Sequence, residues 1–269
     1  MSLLRVENLS KEFGGVHAVE GLSYEIQPGA VHSIIGPNGA GKTTLLNMLT
    51  GIYTPSDGHI FFEDHDLTGL APYHYAAHGI ARTFQNLQVF FNMSALENVM
   101  VGRYLHERCG VASALLRSPR LARAERACRD EAAELMRYVG LHNYLSAAST
   151  AMPYGALKRL EIARAMATRP KLILLDEPAA GLNPTEALEL DDLIGKLTDL
   201  GITVVLVEHN MRLVMGVSDH ILVLDYGRKL AEGPATTVRN DPRVIEAYLG
   251  SGVAWEARLH GAGQGVQQP

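Results

Sequence analysis

Residues Gly36 to Thr44 read GPNGAGKTT and fill the spacing G-x-x-x-x-G-K-[ST] at every position. Glycines at that spacing let backbone N–H groups curl around phosphate oxygens, and the N-terminus of a following helix adds a favourable dipole. Lys42 would reach the β- and γ-phosphates, and the Thr43 hydroxyl would ligate Mg2+. The surroundings suit the motif. The apolar stretch AVHSIIG precedes it, and from Lys42 to Leu49 the pattern turns helical, with Gly51 placed to end the helix. Gly36, Pro37, Asn38, Gly39, Ala40, Gly41, Lys42, Thr43 and Thr44 are therefore expected to bind a nucleoside triphosphate.

The stretch KLILLDEP supplies complementary chemistry. Pro170 and Pro178 bracket a buried strand that ends in Asp176 and Glu177, and strand C-termini are where open α/β sheets bind ligands. Asp176 would hold Mg2+, often through water, while Glu177 would orient or deprotonate an attacking water. Without the upstream loop, the same pair would read as two solvated acids.

These groups need a sheet to carry them. Continuous apolar strands, KLILLDE and GITVVLVEH, flank a helix around Thr185 to Leu200, the mark of a parallel sheet covered on both faces. The first 35 residues read as short strands separated by turns, and DGHIFFEDHDL as a further turn and strand. From about Arg103 to Val139 the chain reads as helical, with Ser118-Pro119 as a cap and first-turn proline. Leu121, Ala124, Cys128, Ala132, Leu135 and Val139 form its apolar stripe. Arg117, Arg120, Arg123, Arg126 and Arg129 recur every third residue, either as a solvated face or as a docking surface for an acidic partner. No internal repeat is evident.

Composition narrows the function classes. With 269 residues and 47% hydrophobic content, the chain can bury a sizeable core. A net charge of −5 and a pI near 6.1 argue against a dedicated nucleic-acid binder. The two cysteines, Cys109 and Cys128, form no CxxC pair, which excludes a disulfide framework or a cysteine-based zinc site. The opening MSLLRVENLSKEF is broken by Arg5 and Glu7 and does not read as a signal peptide. No stretch approaches the roughly 18 apolar residues of a membrane span, so a soluble, cytoplasmic protein is expected, with any membrane association made through a partner.

The order of motifs is more specific than any one of them. The phosphate loop is followed by TFQNLQ, a Tyr-Gly pair before RLEIARA, LLDEP, GLNP and VEH. That order resembles the nucleotide-binding subunit of an ABC transporter, over about Leu3 to Gly250. The segments GIARTFQNLQVFFNMSALENVMVG and LEIARAMATRPKLILLDEPAAGLNP, with a long helical insert, are similar to the ATP-binding subunits of branched-chain amino acid importers. The resemblance implies an α/β P-loop NTPase of ABC type, one domain over residues 1–250. It would have a mainly parallel core sheet, an N-terminal antiparallel β subdomain and a helical subdomain from about Asn86 to Arg164. Residues 251–269, including Trp255, are expected to form a frayed tail.

The resemblance also implies residue roles. Gln85 matches the glutamine whose amide touches Mg2+ and the attacking water. His209 matches the histidine that hydrogen-bonds the γ-phosphate. Phe13 matches the aromatic that stacks on adenine, a small hydrophobic contact within the N-terminal sheet being the lesser alternative. Asn183, in GLNP, stands where many such subunits carry Asp, and it keeps the hydrogen-bonding shape without the charge.

The stretch MPYGALKRLEIARA departs from the family pattern. In the family a signature loop, typically LSGGQ, starts a helix that faces the γ-phosphate held by the other subunit of a head-to-tail dimer. Pro153, Tyr154, Gly155 and Ala156 fall there, with Pro153 in place of Ser and Ala156 in place of Gln. A hydrogen bond to a charged group is worth about 1.5–3 kcal/mol. Backbone donors and the helix dipole survive, so a weakened signature is expected rather than a dead one. The site it would weaken is the partner's, which points to a heterodimer with unequal sites, a homodimer being the alternative.

The expected function is Mg2+-dependent ATP hydrolysis on the cytoplasmic side of the membrane, driving import through separate permease subunits and, indirectly, an external solute-binding protein. Two rivals stand beside it. A soluble ABC ATPase acting on DNA or ribosomes would carry a second cassette or long coiled-coil or zinc insertions, which are absent here. A regulatory subunit that binds ATP without turning it over is the other. The transported molecule is not written in this chain; another amino acid, an amide or urea is the alternative to branched-chain amino acids.

Overall fold

The structure, a computed structural model, describes residues 2–104 and 119–249. Arg117, Ser118, Cys109 and the expected tail 251–269 lie outside the described residues, as do the side chains of Pro119, Arg120 and Leu121, the first residue of the expected stripe.

Strands β1 (Leu4–Phe13) and β2 (Val16–Ile26) form a hairpin at Gly14–Gly15, and β4 (Asp57–Phe62) and β5 (His65–Asp66) join them in an antiparallel sheet ordered β2-β1-β4-β5. Between these pairs the chain crosses into a second sheet through β3 (Val31–Ile35) and helix α1 (Lys42–Met48). Gly51 closes α1 with its N–H on the Met48 carbonyl at a positive φ.

The second sheet is completed by β6 (Ile80–Arg82), β7 (Leu172–Asp176), β8 (Thr203–Val207), β9 (His220–Asp225) and β10 (Arg228–Gly233), in the order β10-β9-β3-β8-β7-β6. All its pairs are parallel except β9–β10. Helix α2 (Pro72–His78) precedes β6, and among the described residues α3 (Ala95–Arg103), α4 (Pro119–Tyr138) and α5 (Tyr154–Ala167) lie between β6 and β7. Helix α6 (Pro184–Asp199) joins β7 to β8, α7 (Met211–Val217) joins β8 to β9, and α8 (Ala235–Arg239) and α9 (Pro242–Leu249) follow β10.

The apolar strands behave as a doubly covered sheet requires. In β7, Leu172 and Leu174 enter the core shared with the antiparallel sheet and α1, while Ile173 and Leu175 enter the core under α5 and α6. Val205 and Val207 of β8 divide from Val204 and Leu206 in the same way. Strict alternation of facing explains why no polar residue interrupts either run. On α4, Cys128, Ala132 and Met136 are buried, as is Val139 just after it, while Arg123, Arg126 and Arg129 are exposed.

Candidate functional site

Parallel pairing brings the strand ends together. Asp176 closes β7 opposite Val207, the last residue of β8, and the Glu177 N–H donates to the Val207 carbonyl at 2.8 Å. His209 follows two residues beyond. On the other flank of β7, β6 pairs Arg82 with Leu174, and Gln85 lies three residues on. The register alone therefore delivers Gln85, Glu177 and His209 to one edge. There the Gln85 amide donates to Glu177 Oε2 at 2.9 Å, and His209 Nε2 lies 2.9 Å from Glu177 Oε1. Glu177 takes a positive φ of 48°, unusual for a non-glycine residue and typical of strain kept at functional sites.

The phosphate loop leaves the same edge, from β3, next to β8. Gly39 and Gly41 have φ of 82° and 97°, and a Cβ on Gly41 would come within 2.4 Å of the Ala18 carbonyl oxygen, so only glycine permits this turn. Lys42 is buried and donates to the carbonyls of Gly36 at 2.8 Å and Pro37 at 2.9 Å, which folds it over the loop. Thr43 is exposed and Thr44 half-buried. The loop's geometry fits phosphate oxygens, and the Thr43 hydroxyl and Asp176 carboxylate are hard oxygen donors of the kind Mg2+ takes. Phe13, at the end of β1, is half-exposed and meets the Tyr53 ring edge-on at 5.3 Å.

Two residues around this edge carry more than sequence reasoning assigned them. Arg82 donates to Asp176 Oδ2 at 2.9 Å and to Asn47 Oδ1 at 2.7 Å, and its plane lies over Phe84. Both partners of this ion pair are buried. Glu208, only 4% exposed, accepts from the backbone N–H groups of Ala179 at 2.7 Å, His209 at 3.0 Å and Asn210 at 3.3 Å. Burial pushes its carboxyl above the usual range, against those three donors. It ties the turn after Glu177 to the loop bearing His209. The segments ARTFQ and VEH held both residues in view, but neither has a partner visible in the linear sequence.

The four signature positions are placed differently from one another. Pro153 is the N-cap of α5 and makes no side-chain capping bond, so the first-turn amides receive no side-chain acceptor there. Tyr154 is 43% exposed, its ring against Gly181 and beneath the Lys158 ammonium. Gly155 is buried, with Glu186 where a Cβ would stand. Ala156 is 1% exposed, its methyl packed in the core under α5. At this position the chain offers a ligand its backbone and no side chain. Asn183 caps α6: its Oδ1 accepts from the amides of Thr185 and Glu186, and Glu186 returns a bond to the Asn183 N–H.

Comparison with known proteins identifies the family and the fold. The family model described as ABC transporter matches residues 19–180, and that described as branched-chain amino acid ATP-binding cassette transporter matches residues 228–254. The high-affinity branched-chain amino acid transport ATP-binding protein LivG of Escherichia coli (strain K12) is 45% identical over 249 residues, 92% of this chain and 98% of that protein. BraF of Pseudomonas aeruginosa, described in the same words, is 43% identical with the same coverage. Among solved structures, a nucleotide-free ATP-binding cassette from an ABC transporter superposes with a TM-score of 0.80 at 33% identity, covering 92% of this chain and 99% of that one. A cassette in its ADP conformation gives the same TM-score and identity. The chain belongs to the ABC transporter family, as an ATP-binding, ATP-hydrolysing cassette of the branched-chain amino acid branch.

Proposed function

We propose that this cassette powers import of branched-chain amino acids, working from the cytoplasmic face of a membrane as one of two ATP-binding subunits beneath separate permease subunits. The observation that carries the catalytic reading is the convergence of Gln85, Glu177 and His209, 2.9 Å apart in each contact, beside the phosphate loop. The substrate class is supported by LivG and BraF, whose descriptions name branched-chain amino acid transport. In agreement with a peripheral subunit, no helix among the described residues is long and apolar enough to cross a membrane.

In this reading the backbone N–H groups of the Gly36–Thr44 loop, Pro37 having none, and the Lys42 ammonium hold the β- and γ-phosphates of ATP, while Phe13 stacks on the adenine. Thr43, Asp176 and Gln85 would hold Mg2+, which would neutralise phosphate charge when bound. Glu177 accepts a hydrogen bond from the attacking water and aligns it with the γ-phosphorus. As the new P–O bond forms, the β–γ bridging P–O bond breaks and ADP and phosphate result. His209 and Lys42 stabilise the charge spread over the transferring group. Pro153, Tyr154, Gly155 and Ala156 serve the ATP held by the other subunit through the uncapped amides of α5, in a dimer whose two sites are unequal.

Steady-state ATP hydrolysis by the purified chain and its Glu177→Gln variant tests this. Whatever turnover the wild type shows, alone or with its companion subunit, at least a hundredfold loss in the variant at unchanged Mg-ATP affinity is expected. Equal turnover in both would remove Glu177 from the chemistry. Two equally active sites in a homodimer of this chain would overturn the unequal-site reading.

A further inference from the structure

Three charged side chains on α5 lie outside the chemistry just described. Lys158, Glu161 and Arg164 are spaced three residues apart and share one face of the helix. Lys158 is 4% exposed and Glu161 2%. Charged residues are rarely buried so deeply unless they are paired. Here they are paired chiefly with the backbone of one loop. Lys158 Nζ donates to the Gln85 carbonyl at 2.9 Å. Glu161 Oε1 accepts from the Gln88 N–H at 2.6 Å, and Arg164 Nη1 donates to the Gln88 carbonyl at 2.6 Å. The Arg164 guanidinium also lies over the Phe90 ring.

The hold continues from a second helix. The fully buried Asn98 of α3 accepts from the Phe90 N–H at 2.9 Å and donates to the Phe90 carbonyl at 3.0 Å. Gln88 and Phe90, alternate residues, thus have both backbone groups taken by side chains, as a neighbouring strand would take them. Meanwhile the side chains of Gln85, Gln88 and Phe90 remain exposed. An ordinary surface loop would leave those backbone groups to water.

We infer that Lys158, Glu161 and Arg164 are positioning residues: they fasten the Gln85–Gln88 loop to α5, so that the Gln85 amide facing Glu177 is placed from that helix. The consequence across a dimer rests on the composite-site reading above. The helix whose first turn meets the partner's phosphate is then the helix that sets Gln85 in its own site, linking the two sites through one rigid element.

Two variants of the full chain release the loop at different points, Lys158→Met and Glu161→Leu, and Lys158→Arg restores a donor. Hydrogen–deuterium exchange of the segment 85–90 and steady-state ATP kinetics are measured on each. The expected result is exchange at least tenfold faster over 85–90 in Glu161→Leu. With it, kcat should fall about tenfold in Lys158→Met while KM and Mg-ATP affinity stay within twofold, and Lys158→Arg should recover most of the turnover. Unchanged exchange in both releasing variants would show that the clamp does not hold the loop. Faster exchange with unchanged kcat, or a parallel loss of kcat and nucleotide affinity, would show that it does not position Gln85. A wild-type chain that fails to hydrolyse ATP alone would count against completion of the composite site in a homodimer, and the exchange arm would then decide the clamp by itself.

Discussion

Glu177 receives its two side-chain contacts from residues 92 and 32 positions away, and both arise from strand order rather than from any local motif. Arg82 shows the same dependence. Its guanidinium neutralises a buried carboxylate, Asp176, that would otherwise face a low-dielectric interior alone. Replacing Arg82 with Met should destabilise the fold by about 3–5 kcal/mol, the usual result of breaking a buried pair from one side, as read from urea unfolding. Arg82→Lys keeps the charge but loses the fork that reaches Asn47 as well as Asp176, and should fall between the two. At Glu208, substitution by Gln turns one accepting oxygen into a donor that faces backbone N–H groups. A loss of about 1–3 kcal/mol in the same assay is expected, with a lower kcat because the His209 loop is released.

At the scale of elements, the start of each helix shows what it is for. Helix α6 begins with a full capping box between Asn183 and Glu186, whereas α5 begins at Pro153 with no side-chain cap. The first is finished within the chain; the second keeps its first-turn amides for something outside its own helix. Asn183→Ala should cost about 1 kcal/mol in thermal or urea unfolding, and Asn183→Asp should cost nothing, since a carboxylate caps as well and suits the helix dipole. Most elements were legible in the sequence. The apolar runs of β7 and β8 and the stripe of α4 follow directly from their periods. The clamp on the Gln85 loop was not, because the partners of Lys158, Glu161 and Arg164 are backbone groups of a loop distant along the chain, which local spacing does not reveal.

Across the whole molecule, the two sheets are pinned by a polar contact at the start of β3, at the opposite end of that short strand from the phosphate loop. Tyr24 of β2 hydrogen-bonds His32 Nδ1 of β3 at 2.8 Å, and the Gln27 N–H donates to His32 Nε2 at 3.0 Å. Burial, with His220 nearby, lowers the His32 pKa to about 4, and the Gln27 donor requires an unprotonated Nε2. The folded state therefore binds this proton more weakly than the unfolded chain. Stability is full above pH 6.5 and is lost as pH falls from 6.5 towards 4, by up to about 3 kcal/mol from this group. Urea unfolding at pH 7 and pH 4.5 should show that loss in the wild type and a smaller one in His32→Gln. Equal losses would mean that carboxylates elsewhere govern the acid limb.

What the sequence determined by itself is whatever depends on local spacing. The GPNGAGKTT loop needs glycine at Gly39 and Gly41 for its own backbone, and the period-two facing of β7 and β8 follows from their composition. The carboxylate pair at the end of β7 pointed to Glu177 as a candidate, and the family resemblance added Gln85 and His209. Only the tertiary structure decided that the three meet, that Arg82 and Glu208 support them, and that Ala156 turns its methyl inward. The physical reason is the parallel sheet. It sets side by side the ends of strands β6, β7 and β8, which are separated along the chain by whole helices, and contacts at that range leave no period for a linear reading to find.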